Sequence, residues 1–153
     1  MSGTIVCGVN EAPGGRSAAE LARALGVRLG LRLVLVHVVD DLPAGTHDSL
    51  GGRQRRSGAE RTLAELASEI GNGTEKRIVL GSRADALAQV AAEEGADLIV
   101  LGSQPTGLGK RKLRCTLARE LEATTPVPVL VAPPSTRKRS NHRLSVAAET
   151  GAR

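Results

Sequence analysis

The sequence contains no Phe, Tyr or Trp. Stacking of bases on aromatic platforms is therefore excluded, and with it the single-stranded nucleic-acid modules that combine such platforms with a basic groove. The core must be filled by Leu, Val, Ile and Ala instead. Cysteine is scarce as well: Cys7 and Cys115 lie far apart and form no Cys-x-x-Cys pair, which argues against a zinc or thioredoxin-like site and for a reducing compartment. His37, His47 and His142 share no metal-ligand spacing. No Gly-x-Ser-x-Gly elbow marks a nucleophilic serine. No apolar run approaches a membrane span, and the start lacks the basic region, apolar stretch and cleavage site of a secretory signal. The expectation is a soluble, cytoplasmic protein with no membrane partner and no catalytic centre.

The formal net charge is +5, but it is not spread evenly. Arg137, Lys138, Arg139, Arg143 and Arg153, against Glu149, place most of it near the end of the chain. A short charged terminus reads as a solvated, disordered tail rather than a nucleic-acid footprint. With 153 residues there is room for one sizeable core. The expected organisation is a single domain over residues 1–134 and a basic, disordered tail over 135–153.

Apolar, β-branched runs at Thr4–Val9 and Arg32–Val39 read as strands buried on both faces. Between them Ala18, Leu21, Ala22, Leu25 and Leu29 recur at helical spacing. Asp40–Gly58 mixes Pro, Gly, Asp and Arg without a period and reads as a long surface loop. A helix through Leu63, Leu66, Ala67 and Ile70 then ends at Gly71, Asn72 and Gly73. Lys76–Leu80 is a third strand, Ser82 an N-cap for a third helix ending near Glu94, and Asp97–Leu101 a fourth strand. Leu113, Leu117 and Leu121 mark a fourth helix, and Val127–Val131, with Pro128 inside it, a fifth strand suited to a sheet edge. Strict alternation predicts an α/β fold: one doubly wound domain with a five-stranded parallel sheet and helices on both faces. Ligands of such sheets sit beyond the carboxyl ends of the strands, which points to Asn10, to Val38–Asp40 and to the residues from Gly102 onward.

Four segments appear in the order known from the universal stress protein family: Ile5–Asn10, Leu35–Val38, Ala96–Ser103 and Pro126–Val131. Over residues 4–132 the chain resembles that family. The resemblance implies an adenine nucleotide alpha hydrolase-like fold and a non-catalytic, cytoplasmic stress-response module that forms a homodimer. It also implies an ATP pocket built on Gly-x-x-Gly, nine residues, Gly-Ser/Thr after the fourth strand. Here Gly102 holds the first glycine position, but the second falls on Pro105 and the closing pair on Cys115-Thr116. Proline has no N–H to offer a phosphate and a fixed φ, and Cys115 adds a Cβ where close approach is needed. Each lost charge-assisted hydrogen bond costs about 1.5–3 kcal/mol, or one to two decades in affinity. Asn10 stands where the family's ATP-binding members carry an aspartate that contacts the ribose, so the contact it offers is neutral.

Against these losses stand Gly107, Gly109 and the run Lys110, Arg111, Lys112 and Arg114, with Thr116 beyond. Two readings of that run stand together here: a reworked phosphate site, or a solvated basic loop. Gly14-Gly15-Arg16-Ser17 is a weak phosphate-loop match; its simpler role is a turn with Ser17 or a neighbour capping the first helix. The candidate cofactor-binding residues are thus Asn10, Val38, Gly102, Ser103, Gly107, Gly109, Cys115 and Thr116, with ATP as the degenerate pocket's ligand. The alternative is a dimeric interaction protein of the same fold that binds no nucleotide. The edge strand Val127–Val131 is the expected dimer contact, since pairing with a second copy removes an unpaired edge.

Overall fold

The computed structural model describes residues 3–10, 13–39, 50–71, 73–103 and 116–133. Strand and helix alternate as β1 (Thr4–Val9), α1 (Pro13–Leu29), β2 (Arg32–Val39), α2 (Leu50–Ile70) and β3 (Glu75–Leu80). The series continues with α3 (Arg83–Glu94), β4 (Ala96–Gly102), α4 (Thr116–Thr124) and β5 (Val129–Ala132). The strands form one parallel sheet in the order β3-β2-β1-β4-β5. The chain winds outward from β1 to β3, returns across the sheet through α3, and winds outward again to β5.

Side chains alternate across the sheet with period two. Ile5, Cys7, Val9, Leu33, Leu35 and Val100 point to the face covered by α1 and α2. Val6, Val34, Val36, Ile99 and Leu101 point to the face covered by α3 and α4. Ile5, Leu35, Ile99 and Leu121 have no exposed surface, and burying such a side chain contributes about 1.5–3 kcal/mol. Without aromatic rings to span a gap, α1 lies against the sheet through Ala18, Ala19 and Ala22, all fully buried. Its end is set by Gly30 at φ +67°, a left-handed position that suits a residue without Cβ. Among the described residues no helix is long and apolar enough to cross a membrane.

The observed elements correct the sequence reading in three places. Residues 50–58, expected in a loop, form the first turns of α2. Gly51, Gly52 and Gly58 conceal the helical period, yet Gly52 is buried, Thr62 Oγ1 donates to the Gly58 carbonyl at 3.0 Å, and the buried Ala59, Leu63, Leu66 and Ile70 anchor the helix. Tertiary burial outweighs the low helix propensity of glycine. Pro128 lies before β5 rather than inside it: its carbonyl accepts the Ile99 N–H at 2.9 Å, so its missing N–H costs the sheet nothing. Ser82 is the N-cap residue of α3, but its hydroxyl donates to Asp85 Oδ2 at 2.8 Å instead of accepting a backbone N–H. Leu113, Asp40–Ser49 and the basic tail lie outside the described residues.

The amino ends of the strands are joined by charge. Arg32 at the start of β2 donates to Glu75 Oε1 at 2.7 Å and to Glu94 Oε2 at 2.6 Å. Arg77 in β3 donates to Glu93 Oε2 at 2.7 Å and to Glu94 Oε1 at 3.2 Å. Glu94 thus links both guanidinium groups and ties the last turn of α3 to β2 and β3. The hydrogen bond from Arg77 holds Glu93 below the ordinary glutamate range. A depressed folded pKa adds stability above the ordinary range, which is lost as pH falls through the depressed value. Thermal unfolding followed from neutral pH into acid is expected to show Glu93→Gln less stable than wild type at neutral pH, with the gap closing across that interval. A gap that persists in acid would assign the effect to packing.

Candidate functional site

Because β1 and β4 are neighbours whose following connections leave toward opposite sides, a crevice opens beyond their carboxyl ends. It holds a cavity of about 440 Å³, within the usual range for small-molecule sites. Its floor is the ends of the central strands: Gly8, Val9 and Asn10 from β1 and its exit, Val36, His37 and Val38 from β2, and Leu101 and Gly102 from β4. One wall is the first turn of α1, through Gly14 and Gly15. The opposite wall is α3 and α4, through Arg83, Leu87, Leu117, Ala118 and Glu120, with Val131 of β5 beside them.

Glycine controls how closely these pieces approach. A Cβ on Gly102 would collide with the Gly14 carbonyl oxygen, and a Cβ on Gly14 with the carbonyl oxygen of Ser103. Backbone therefore lies directly on backbone where α1 meets the end of β4. A Cβ on Gly15 would sit 2.6 Å from the Asn10 carbonyl oxygen, so α1 is also closed down on the exit of β1. Pro13 occupies the first helical position of α1, where a residue without N–H is at no loss. This corrects the expected turn: Gly14, Gly15, Arg16 and Ser17 are helical, and Ser17 is buried inside α1 rather than capping it. N–H groups in a first helical turn have no intrahelical acceptor, so the positive end of α1 is presented at the cleft.

Of the residues expected from sequence to form the site, Asn10, Val38 and Gly102 line the cleft together. Ser103 follows them but is buried; its N–H donates to the Ala132 carbonyl at 3.2 Å and ties the end of β4 to β5. Thr116 is the first residue of α4. Gly107, Gly109 and Cys115 lie outside the described residues, as do Pro105 and the run Lys110–Arg114. His37 lines the cleft as well, as do Gly14 and Gly15 of the weak phosphate-loop match. Sequence reasoning missed Arg83, Leu87, Leu117, Ala118 and Glu120. A signal for these existed: a doubly wound sheet must start α3 and α4 at the carboxyl ends of β3 and β4, so their first turns face the crevice.

Among the described residues, neither Ser103 nor Cys7 is set up as a nucleophile. A serine nucleophile needs a base within hydrogen-bond reach, and the Ser103 hydroxyl is buried without a partner among the described residues. Burial pushes the Cys7 thiol up, away from the reactive thiolate. No group of three metal-ligating side chains occurs among the described residues.

The parallel sheet in the order β3-β2-β1-β4-β5, with a crevice and a helix N-terminus where the winding reverses, defines a doubly wound α/β domain. The sequence profile described as Universal stress protein family matches residues 1–133, and the chain belongs to that family. A relative from Thermus aquaticus, the universal stress protein in the QAH/OAS sulfhydrylase 3' region, is 30% identical over 139 residues, covering 86% of this chain and 98% of the relative. The fold is similar to that of the universal stress protein from Archaeoglobus fulgidus in complex with dAMP. That match has a TM-score of 0.65 at 20% identity and covers 85% of this chain and 97% of the other. It is similar also to a universal stress protein family protein from Arabidopsis thaliana with AMP bound. There the TM-score is 0.62 at 23% identity, covering 87% and 93%.

The contact between Gly102 and Gly14 yields a test that needs no ligand. Gly102→Ala is expected to lower unfolding stability by about 1–3 kcal/mol in chemical denaturation, the usual cost of overpacking. Stability equal to wild type would mean that the glycine serves only ligand approach.

Proposed function

We propose that this chain is a non-catalytic stress-response module, working in the cytoplasm, whose cleft takes an adenine nucleotide as a conformational ligand rather than a substrate. The observation that carries the reading is the convergence of Asn10, Val38 and Gly102 on a cavity of about 440 Å³ that the N-terminus of α1 overlooks. The positive end of a helix suits an anionic group, and Val36, Val38, Leu87 and Leu117 offer an apolar surface to a flat ring. Two relatives of the same fold were solved with dAMP and with AMP bound, which supports an adenine nucleotide as the ligand class. Among the described residues no base stands beside Ser103 and Cys7 is buried, so the bound nucleotide is expected to leave as it entered.

Calorimetric titration with AMP and ATP tests the reading. Micromolar to millimolar binding is expected, and Leu117→Trp, which fills the cleft from a half-buried position, is expected to weaken it at least about tenfold while leaving the far-UV circular dichroism unchanged. Absence of binding at millimolar nucleotide would favour the second reading, a dimeric interaction protein of the same fold that binds none. Closure of Gly102 against Gly14 supports that second reading, because α1 covers part of the surface a phosphate would otherwise approach.

Both readings include a homodimer through the last strand. β5 stands at the edge of the sheet, and Leu130 on it is 38% exposed. An apolar edge strand is an aggregation hazard that pairing with a second copy removes. Sedimentation at micromolar concentration is expected to give a dimer for the wild type and a folded monomer for Leu130→Lys; a wild-type monomer would remove the dimer from both.

A further inference from the structure

We propose that Ser57 is a phosphorylation site, with Arg53 and Arg61 as the two sides of a clamp that holds the phosphate on the surface of α2. The proposal is independent of the cleft and of what fills it. Among the described serines, Ser17 and Ser103 are buried, and Ser82 gives its hydroxyl to the Asp85 carboxylate. Ser68 is exposed but stands between Glu65 and Glu69, which would repel a phosphate. Ser57 is exposed with cations on both sides: Arg53, Arg55 and Arg56 precede it by four, two and one residues, and Arg61 follows it by four.

Because α2 is helical throughout Leu50–Ile70, residues four apart are neighbours on its surface, with about 5–6 Å between their Cβ atoms. Arg53, Ser57 and Arg61 therefore form one row, on the side turned away from the buried Ala59, Leu63, Leu66 and Ile70. All three are exposed, and neither arginine has an ion-pair partner among the described residues. Glu60, three residues past Ser57, reaches toward Arg56 instead, at 3.9 Å.

The charge along α2 runs against the field of the helix. Its first turn holds Arg53 and no acid, and its last turn no base, the reverse of what the macrodipole favours. Gly51, Gly52 and Gly58 lower the helix propensity of the same early turns. A phosphate brings a charge of about −1.5 to −2 and three acceptor oxygens to the middle of the row, within reach of the planar forks of Arg53 and Arg61. The weakness of these turns also lowers the cost of opening them locally, so that Ser57 and the arginines ahead of it can enter the acidic substrate groove of a separate serine kinase. ATP held by that kinase is the donor. Ser57 Oγ bonds to the γ-phosphorus, the bond from that phosphorus to the β–γ bridging oxygen breaks, ADP leaves, and the hydroxyl proton passes to the kinase's base.

The full chain is incubated with ATP and the catalytic subunit of a serine kinase that selects arginine ahead of its acceptor, and the modified residue is mapped by mass spectrometry. Ser140→Ala is included throughout, because Arg137, Lys138 and Arg139 precede that serine in the sequence. Phosphate on Ser57 is expected, lost in Ser57→Ala and kept in Ser68→Ala. The clamp is tested apart from the kinase, on a full chain made with phosphoserine at position 57. Its amides over residues 53–61 are expected to exchange hydrogen about fivefold more slowly than those of the unmodified chain at low ionic strength, the gain from two helical ion pairs. High salt and the double variant Arg53→Gln with Arg61→Gln are each expected to remove that gain. Ser57 left unmodified by the kinase overturns the site, and exchange that is unchanged or faster with phosphoserine in place overturns the clamp.

Discussion

The contact on which the crevice depends is backbone on backbone. Where α1 leaves β1 and must lie over the end of β4, Gly14 and Gly102 meet with no side chain between them. A methyl group at either position would hold the helix away from the sheet, shift the first turn of α1 and widen the gap between its N–H groups and the strand ends. The alanine surface of α1 serves the same demand further along, where Ala18, Ala19 and Ala22 allow the helix to lie close. Absence of aromatic residues thus has a geometric counterpart: small residues on the helix, branched aliphatic residues on the strands, and short distances between layers.

That contact also gives Gly102 a packing role of its own within the glycine pattern of the resembled motif. Gly102 is required by packing whether or not a phosphate is present. Positions 105 and 115, which carry Pro and Cys, hold glycine in the pattern for a ligand's sake. A glycine held by packing and a glycine held for a ligand's approach are under different physical constraints. The cleft still has a floor of strand ends and a helix N-terminus beside it, which are properties of the winding itself rather than of particular side chains.

The fold was legible because its signals are local and repeated: buried apolar runs for strands, helical spacing between them, and turn residues at the joints. What was not legible depended on partners remote in sequence. The start of α2 was hidden because Gly51, Gly52 and Gly58 lower local helix propensity while contacts with the sheet decide the outcome. Gly14 and Gly15 resembled a turn because two adjacent glycines usually make one; only the approach of Ser103 and Asn10 explains them inside a helix. Asn10, Val38 and Gly102 were found because topology alone assigns them to the strand ends. Arg83 and Glu120 were not, since a charged residue on a helix reads as solvated until the facing element is known.

The charged clasp of Arg32, Arg77, Glu75, Glu93 and Glu94 lies at the amino ends of the strands, and the crevice lies at the carboxyl ends. Fastening and recognition therefore occupy opposite poles of one sheet. A change at Leu117 on the crevice wall leaves the clasp untouched, so what the proposed site accepts can alter without loosening the amino ends of the strands.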